Sequence, residues 1–164
     1  MTMRLAFCSA AYLLIVPATI STAQQPATCP WFSSGSAQAV LGGPVSLHFQ
    51  AEENGQGLCE FTVQSGERTK MLRIVVGKID RHPCPPESRQ LKALGNEAIQ
   101  CRRTDEQGHP WDVIAGRMRD VFFVVTTSNV PDAVATPKAD GPPTDPYSAS
   151  ILERVAEQVV GNLN

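Results

Sequence analysis

The chain has 164 residues, of which 42% are hydrophobic and 18% charged, and its formal net charge is -2. That length suits one domain, and the charge balance carries no basic footprint for nucleic acid. The apolar content is too high for a disordered chain, and 13 prolines beside 12 glycines exclude a helix bundle.

Arg4 is the only charge before Glu52, and an apolar stretch runs from Leu5 to Val16 before Pro17 breaks it. Small residues then lead to Ser21-Thr22-Ala23. A positive start, an apolar middle and a small-x-small ending are the parts of a secretory signal, here expected over 1–23 with cleavage after Ala23. The apolar stretch is shorter than the ~20 residues a membrane-spanning helix needs. No membrane span is therefore expected after cleavage, and residues 24–164 are read as one exported domain, periplasmic or extracellular. Cys8 follows Phe7, and Cys29 follows Pro26-Ala27-Thr28. Neither context is that of a lipid-modified cysteine.

Four cysteines remain beyond the signal: Cys29, Cys59, Cys84 and Cys101. An even number in an exported chain points to two disulfides. Three pairings exist, and the sequential one, Cys29–Cys59 with Cys84–Cys101, is preferred because each bridge then stays within one half of the domain. The competing reading gathers His82, Cys84, Cys101 and His109 around a metal, but the spacing fits no zinc pattern. A Cys84–His109 nucleophile pair would need a free thiol in an oxidising space.

The next elements follow from periodicity. Ser33 or Ser34 can cap a short helix with Ala37, Val40 and Leu41 on its apolar face, stopped by Gly42-Gly43-Pro44. Val45, Leu47 and Phe49 alternate with Ser46, His48 and Gln50, a strand with His48 on its polar face. After a turn at 52–55, Cys59, Phe61 and Val63 mark the buried face of a second strand. Ser65-Gly66-Glu67-Arg68 reads as a hairpin leading to a third strand lined by Leu72, Ile74 and Val76.

Residues 80–86 form a Pro-rich connector. Pro86-Glu87-Ser88 is expected to open a second short helix, with Leu91 and Leu94 inward and Gly95 as its stop. Three strands follow, over 97–103, 111–118 and 121–128. The run Val121-Phe122-Phe123-Val124-Val125 is apolar on both faces, which suits a central strand. Residues 129–146 contain five prolines and read as a mobile loop or a functional flap. A last helix carries Leu152, Val155, Ala156, Val159, Val160 and Leu163 on one stripe, a core face. The expected fold is thus α+β: an antiparallel six-stranded sheet packed with helices, ordered helix, three strands, helix, three strands, helix. Val40-Leu41-Gly42-Gly43 and Ala93-Leu94-Gly95-Asn96 suggest an internal pseudo-repeat.

Cys29, a short helix ending in Leu41-Gly42, Cys59 with an aromatic after it, and the segment Leu94-Gly95-Asn96-Glu97-Ala98 together resemble a family. It is that of the small exported domains of unknown function best known among actinobacterial lipoproteins. The resemblance implies an antiparallel sheet packed with helices, similar to PsbP-like sandwiches, and it also implies the Cys29–Cys59 bridge. It supplies no catalytic residue. The chain departs from the pattern in lacking a lipobox and in adding Cys84 and Cys101.

No Gly-x-Ser-x-Gly elbow, His-Glu-x-x-His motif or phosphate loop occurs in the chain. No catalytic residue, metal or cofactor is expected. The expected function is a non-catalytic exported binding or envelope accessory domain. The alternative is a structural subunit of an envelope complex, and a secreted hydrolase ranks below both. Arg102, Arg103, Arg117 and Arg119 fall near one another if the last three strands are neighbours, a possible anion-binding set. The expected partner is an envelope component or a small anionic ligand.

Overall fold

A computed structural model of the chain describes residues 28–66, 68–78, 83–104, 108–128 and 146–163. The signal expected at 1–23, His82, and residues 129–145 of the Pro-rich stretch lie outside the described residues. The element order is α1 (Ser34–Leu41), β1 (Ser46–Ala51), β2 (Gly57–Ser65), β3 (Arg68–Gly77), β4 (Arg89–Gln90), β5 (Glu97–Thr104), β6 (Pro110–Met118), β7 (Val121–Ser128) and α2 (Pro146–Gly161), with a 3-10 turn at Glu53–Gly55. The seven strands of the described residues join one sheet in the order β1-β2-β3-β7-β6-β5-β4, every pair antiparallel.

The expected helix–three strands–helix–three strands–helix order is corrected here. The body is a seven-stranded sheet, and the described residues contain two α-helices rather than three. The helix expected from Pro86 is a run of turns around the two-residue strand β4. Three constraints explain this. Cys84 is tied to Cys101 on β5. Arg89 and Gln90 pair with Gln100 and Ile99. The Leu91 N–H donates to the Ala98 carbonyl at 2.8 Å. An apolar pair three apart, Leu91 and Leu94, is too short a stripe to outweigh these ties, since short helices are marginal without a packed face. Without that helix the proposed repeat loses its matching element, although two three-stranded meanders, β1-β2-β3 and β5-β6-β7, do meet at the β3–β7 pair.

Strand alternation sets the two faces of the sheet. On one face the register aligns Phe49, Cys59, Ile74, Val125 and Ile114 across five strands. Cys59, Ile74, Val125 and Ile114 belong to the main core with Phe61, Leu72 and Phe123, all fully buried, and half-buried Phe49 packs against it. Both helices cover this face. α1 packs on β2 and β3, and α2 packs on β6 and β7. α2 buries Leu152, Val155, Ala156 and Val159, so the stripe read in the sequence is its core face. β7 is the middle strand of the seven, which is why its apolar run shows no alternation.

Local chemistry fixes the ends of α1. The Ser33 hydroxyl accepts the Ser36 N–H at 3.0 Å, and Gly42 takes the left-handed cap at φ 75°. Lys70 on β3 donates to the Leu41 carbonyl at 3.0 Å, where a cation complements the C-terminal dipole.

The opposite face is partly open. Val113, Cys101 and Cys84 form a small second core there, with Ile99, Trp111 and Val124 against it. The Cys84–Cys101 disulfide therefore brings the segment 83–86 onto the face away from the helices, while the Cys29–Cys59 disulfide sits in the main core. Both bridges follow the sequential pairing preferred from the sequence. They fit an oxidising environment, and no described helix is long and apolar enough to cross a membrane.

Candidate functional site

The four arginines singled out in the sequence do not converge. Arg102 lies on the helix face, where it grips Asp112 through two hydrogen bonds of 2.8 and 3.0 Å. Both side chains are nearly enclosed, at 11% and 10% exposure, so this guanidinium is committed to structure. Arg103 lies on the open face and donates to the Pro83 carbonyl at 3.1 Å, supporting the disulfide-tied segment. Arg117 stands on the same face but at the other end of the β5–β6 ladder, opposite Glu97. The two ends are six residues apart, roughly 20 Å along a strand. Arg119 forms the tight turn between β6 and β7 at φ 54°, exposed, with its N–H donating to the Asn96 side chain at 3.4 Å.

Of the four, Arg117 stands beside a cavity without lining it: it lies two residues beyond the lining residue Ala115 on the same strand face, and its cross-strand partner Glu97 lines the cavity. A cleft of about 340 Å³ opens on the sheet face away from the helices. Its floor is the cross-strand pair Ile99 and Ala115, and Cys84, Pro85 and Pro86 wall it. Glu97 stands at its edge, directly across the strand pair from Arg117. The walls are stiff for covalent reasons: two prolines have fixed φ, and the disulfide clamps the segment to β5. The backbone behind Arg117 is held too. Gly95 sits at φ 65°, and any Cβ there would lie 2.6 Å from the Arg117 carbonyl, which accepts the Asn96 N–H at 2.8 Å.

Arg117 itself is incompletely paired. Its guanidinium lies over the Phe122 ring, 5.9 Å from the centroid, and its one acceptor among the described residues is Glu97 at a long 3.4 Å. Its Nε is buried with no partner among the described residues, and a buried donor left without an acceptor costs about 1–3 kcal/mol. Glu97 is the more solvated partner, with side-chain exposure of 64% against 39% for Arg117.

Two further features were not legible in the sequence. A groove of about 360 Å³ runs between α1 and α2, lined by Phe32, Val40, Ile151 and Val155 and bridged by a 3.3 Å hydrogen bond from Gln158 to the Ser36 hydroxyl. Beneath α2, Arg89 of β4 reaches both the Gln100 side-chain oxygen at 3.0 Å and Glu153 at 2.9 Å, stitching the sheet edge to the helix. Gln100 is 1% exposed, and its amide nitrogen has no partner among the described residues.

His48 is exposed on β1 opposite Glu60, and His109 is exposed beside the start of β6. The bond between Cys84 and Cys101 removes both sulfurs from the alternative metal set and the one thiol from the Cys84–His109 pair. Among the described residues no group of three or more His, Cys, Asp or Glu side chains is gathered to hold a metal ion. Comparisons with protein-family models, curated proteins and solved structures give no match to this chain.

Proposed function

We propose that this protein is a non-catalytic binding domain that works outside the cytoplasm, in the periplasm or the extracellular space, and that it binds its partner in the cleft beside Arg117. The observation that carries the reading is the cleft itself. It has an apolar floor on a rigid sheet and a wall fixed by two prolines and a disulfide. Its volume of about 340 Å³ lies within the range of small-molecule sites. Preformed walls lower the ordering cost of binding. The signal-like start and the two bridges agree with an exported life.

The test uses the neutral fluorophore N-phenyl-1-naphthylamine. The oxidised protein should enhance its emission. Ile99→Trp, which fills the floor, should abolish the enhancement, while Ala39→Trp, which fills the groove between the helices, should leave it intact. The opposite pattern, or no enhancement by the unaltered protein, refutes the assignment.

A second reading, a structural subunit of an envelope complex, is favoured by one observation. β1 is a full six-residue edge strand with no Lys, Pro or acidic residue inside it, and Leu47 and Phe49 are only half-buried. Such an edge accepts another strand. On that reading His48→Lys with Gln50→Lys lowers the mass of the assembly in sedimentation; an unchanged mass counts against it.

A further inference from the structure

Resting on the cleft as the binding site, we infer that its ligand is an amphiphile with an apolar body and one acidic group, the body lying on Ile99 and Ala115 and the acid meeting the Arg117 guanidinium. Three observations lead there. First, the lining is mainly apolar, with Pro85, Pro86, Ile99 and Ala115 in the walls and floor. A ligand polar throughout gains little on such a surface, since burial there removes water without replacing its hydrogen bonds.

Second, the two charged groups at this end are unequal. Glu97 keeps most of its side chain in water and has no need of a new cation. Arg117 is the more enclosed, and among the described residues its guanidinium has one acceptor, at a long 3.4 Å, with Nε buried and unpaired. An exposed pair at that separation contributes little to stability, so an incoming acid displaces Glu97 cheaply and gives the guanidinium a shorter, charge-assisted bond.

Third, Arg117 is already positioned. The Phe122 ring lies beneath its guanidinium, and the Gly95–Asn96 turn pins its carbonyl. Less side-chain freedom is therefore lost when an acid binds. The other three arginines offer no equivalent. Arg102 is engaged by Asp112, Arg103 holds the Pro83 carbonyl, and Arg119 lies in the exposed β6–β7 turn.

Calorimetric titration with three probes that share one apolar body tests the assignment. They are 2-naphthoate, 2-naphthylmethanol and 2-naphthylmethylamine. The oxidised protein should bind the naphthoate roughly tenfold or more tighter than the alcohol, the ratio expected for one charge-assisted hydrogen bond. Arg117→Gln should bring the naphthoate down to the level of the alcohol without changing the alcohol, whose binding also shows that the cleft is intact in the variant. Arg117→Lys should retain part of the preference. Equal binding of acid and alcohol, a preference for the amine, or a preference that survives Arg117→Gln each overturns the ligand class while leaving the cleft in place. Failure of all three probes overturns the cleft and the inference together.

Discussion

Replacing Cys84 and Cys101 together by Ala separates the two bridges by what each one holds. The Cys84–Cys101 bridge closes a span of 17 residues and the Cys29–Cys59 bridge one of 30. In the loop-entropy description these closures contribute about 3.1 and about 3.7 kcal/mol. A domain of this size has a total stability of about 5–15 kcal/mol, so either loss is large. With a urea slope of about 1–3 kcal/mol per molar, the Cys84/Cys101 variant should lose about 1–3 M in its unfolding midpoint. The Cys29/Cys59 variant should lose at least as much, because Cys59 is fully buried in the main core and its shortening also leaves a void. Binding should rank the other way. The first variant frees the Pro85–Pro86 wall and should lose the fluorescent probe even in conditions where it stays folded. The second leaves the cleft untouched and should keep the probe. The measurements are equilibrium urea unfolding by circular dichroism, with probe titration well below the midpoint. A midpoint shift under about 0.3 M in the first variant refutes the stability argument. Retained probe binding in that variant refutes the role given to the wall.

Two further outcomes follow from single contacts. Asp112→Ala leaves Arg102 without its two short carboxylate bonds in a nearly enclosed site. It should cost about 3–5 kcal/mol, while replacing both residues by apolar ones of similar volume should recover most of the loss; a double-mutant cycle in thermal unfolding reads both. Gly116→Ala would place a Cβ 2.7 Å from the Phe123 ring and 2.7 Å from the Glu97 carbonyl. Phe123 is fully buried and Glu97 is paired across the strand, so neither can retreat, and a loss of about 1–3 kcal/mol is expected in denaturant unfolding.

Six of the seven strands stand where alternation or apolar runs placed them, because a period of two survives any packing arrangement that has a buried side. α1 was legible from Ser33 and Gly42, whose capping chemistry is local. β4 and the missing middle helix were not. Residues 86–94 carry a weak helical signal, and what decides their shape is a bond to Cys101 and a pairing with Ile99 and Gln100, all contributed by another strand. The arginine set failed to converge for a similar reason. Alternation along β5 puts its neighbours Arg102 and Arg103 on opposite faces, and the length of the β5–β6 ladder separates Arg103 from Arg117.

The chain alone thus determined the positions of its six longer strands, its capped first helix, the apolar stripe of its last helix and the sequential disulfides it prefers. Each rests on interactions within a few residues or on the count and order of cysteines. The order β1-β2-β3-β7-β6-β5-β4, the two unequal faces of the sheet and the cleft beside Arg117 came only from the tertiary structure. Those features depend on which distant residues face one another across strands, and the register that sets this is chosen by the whole buried face at once.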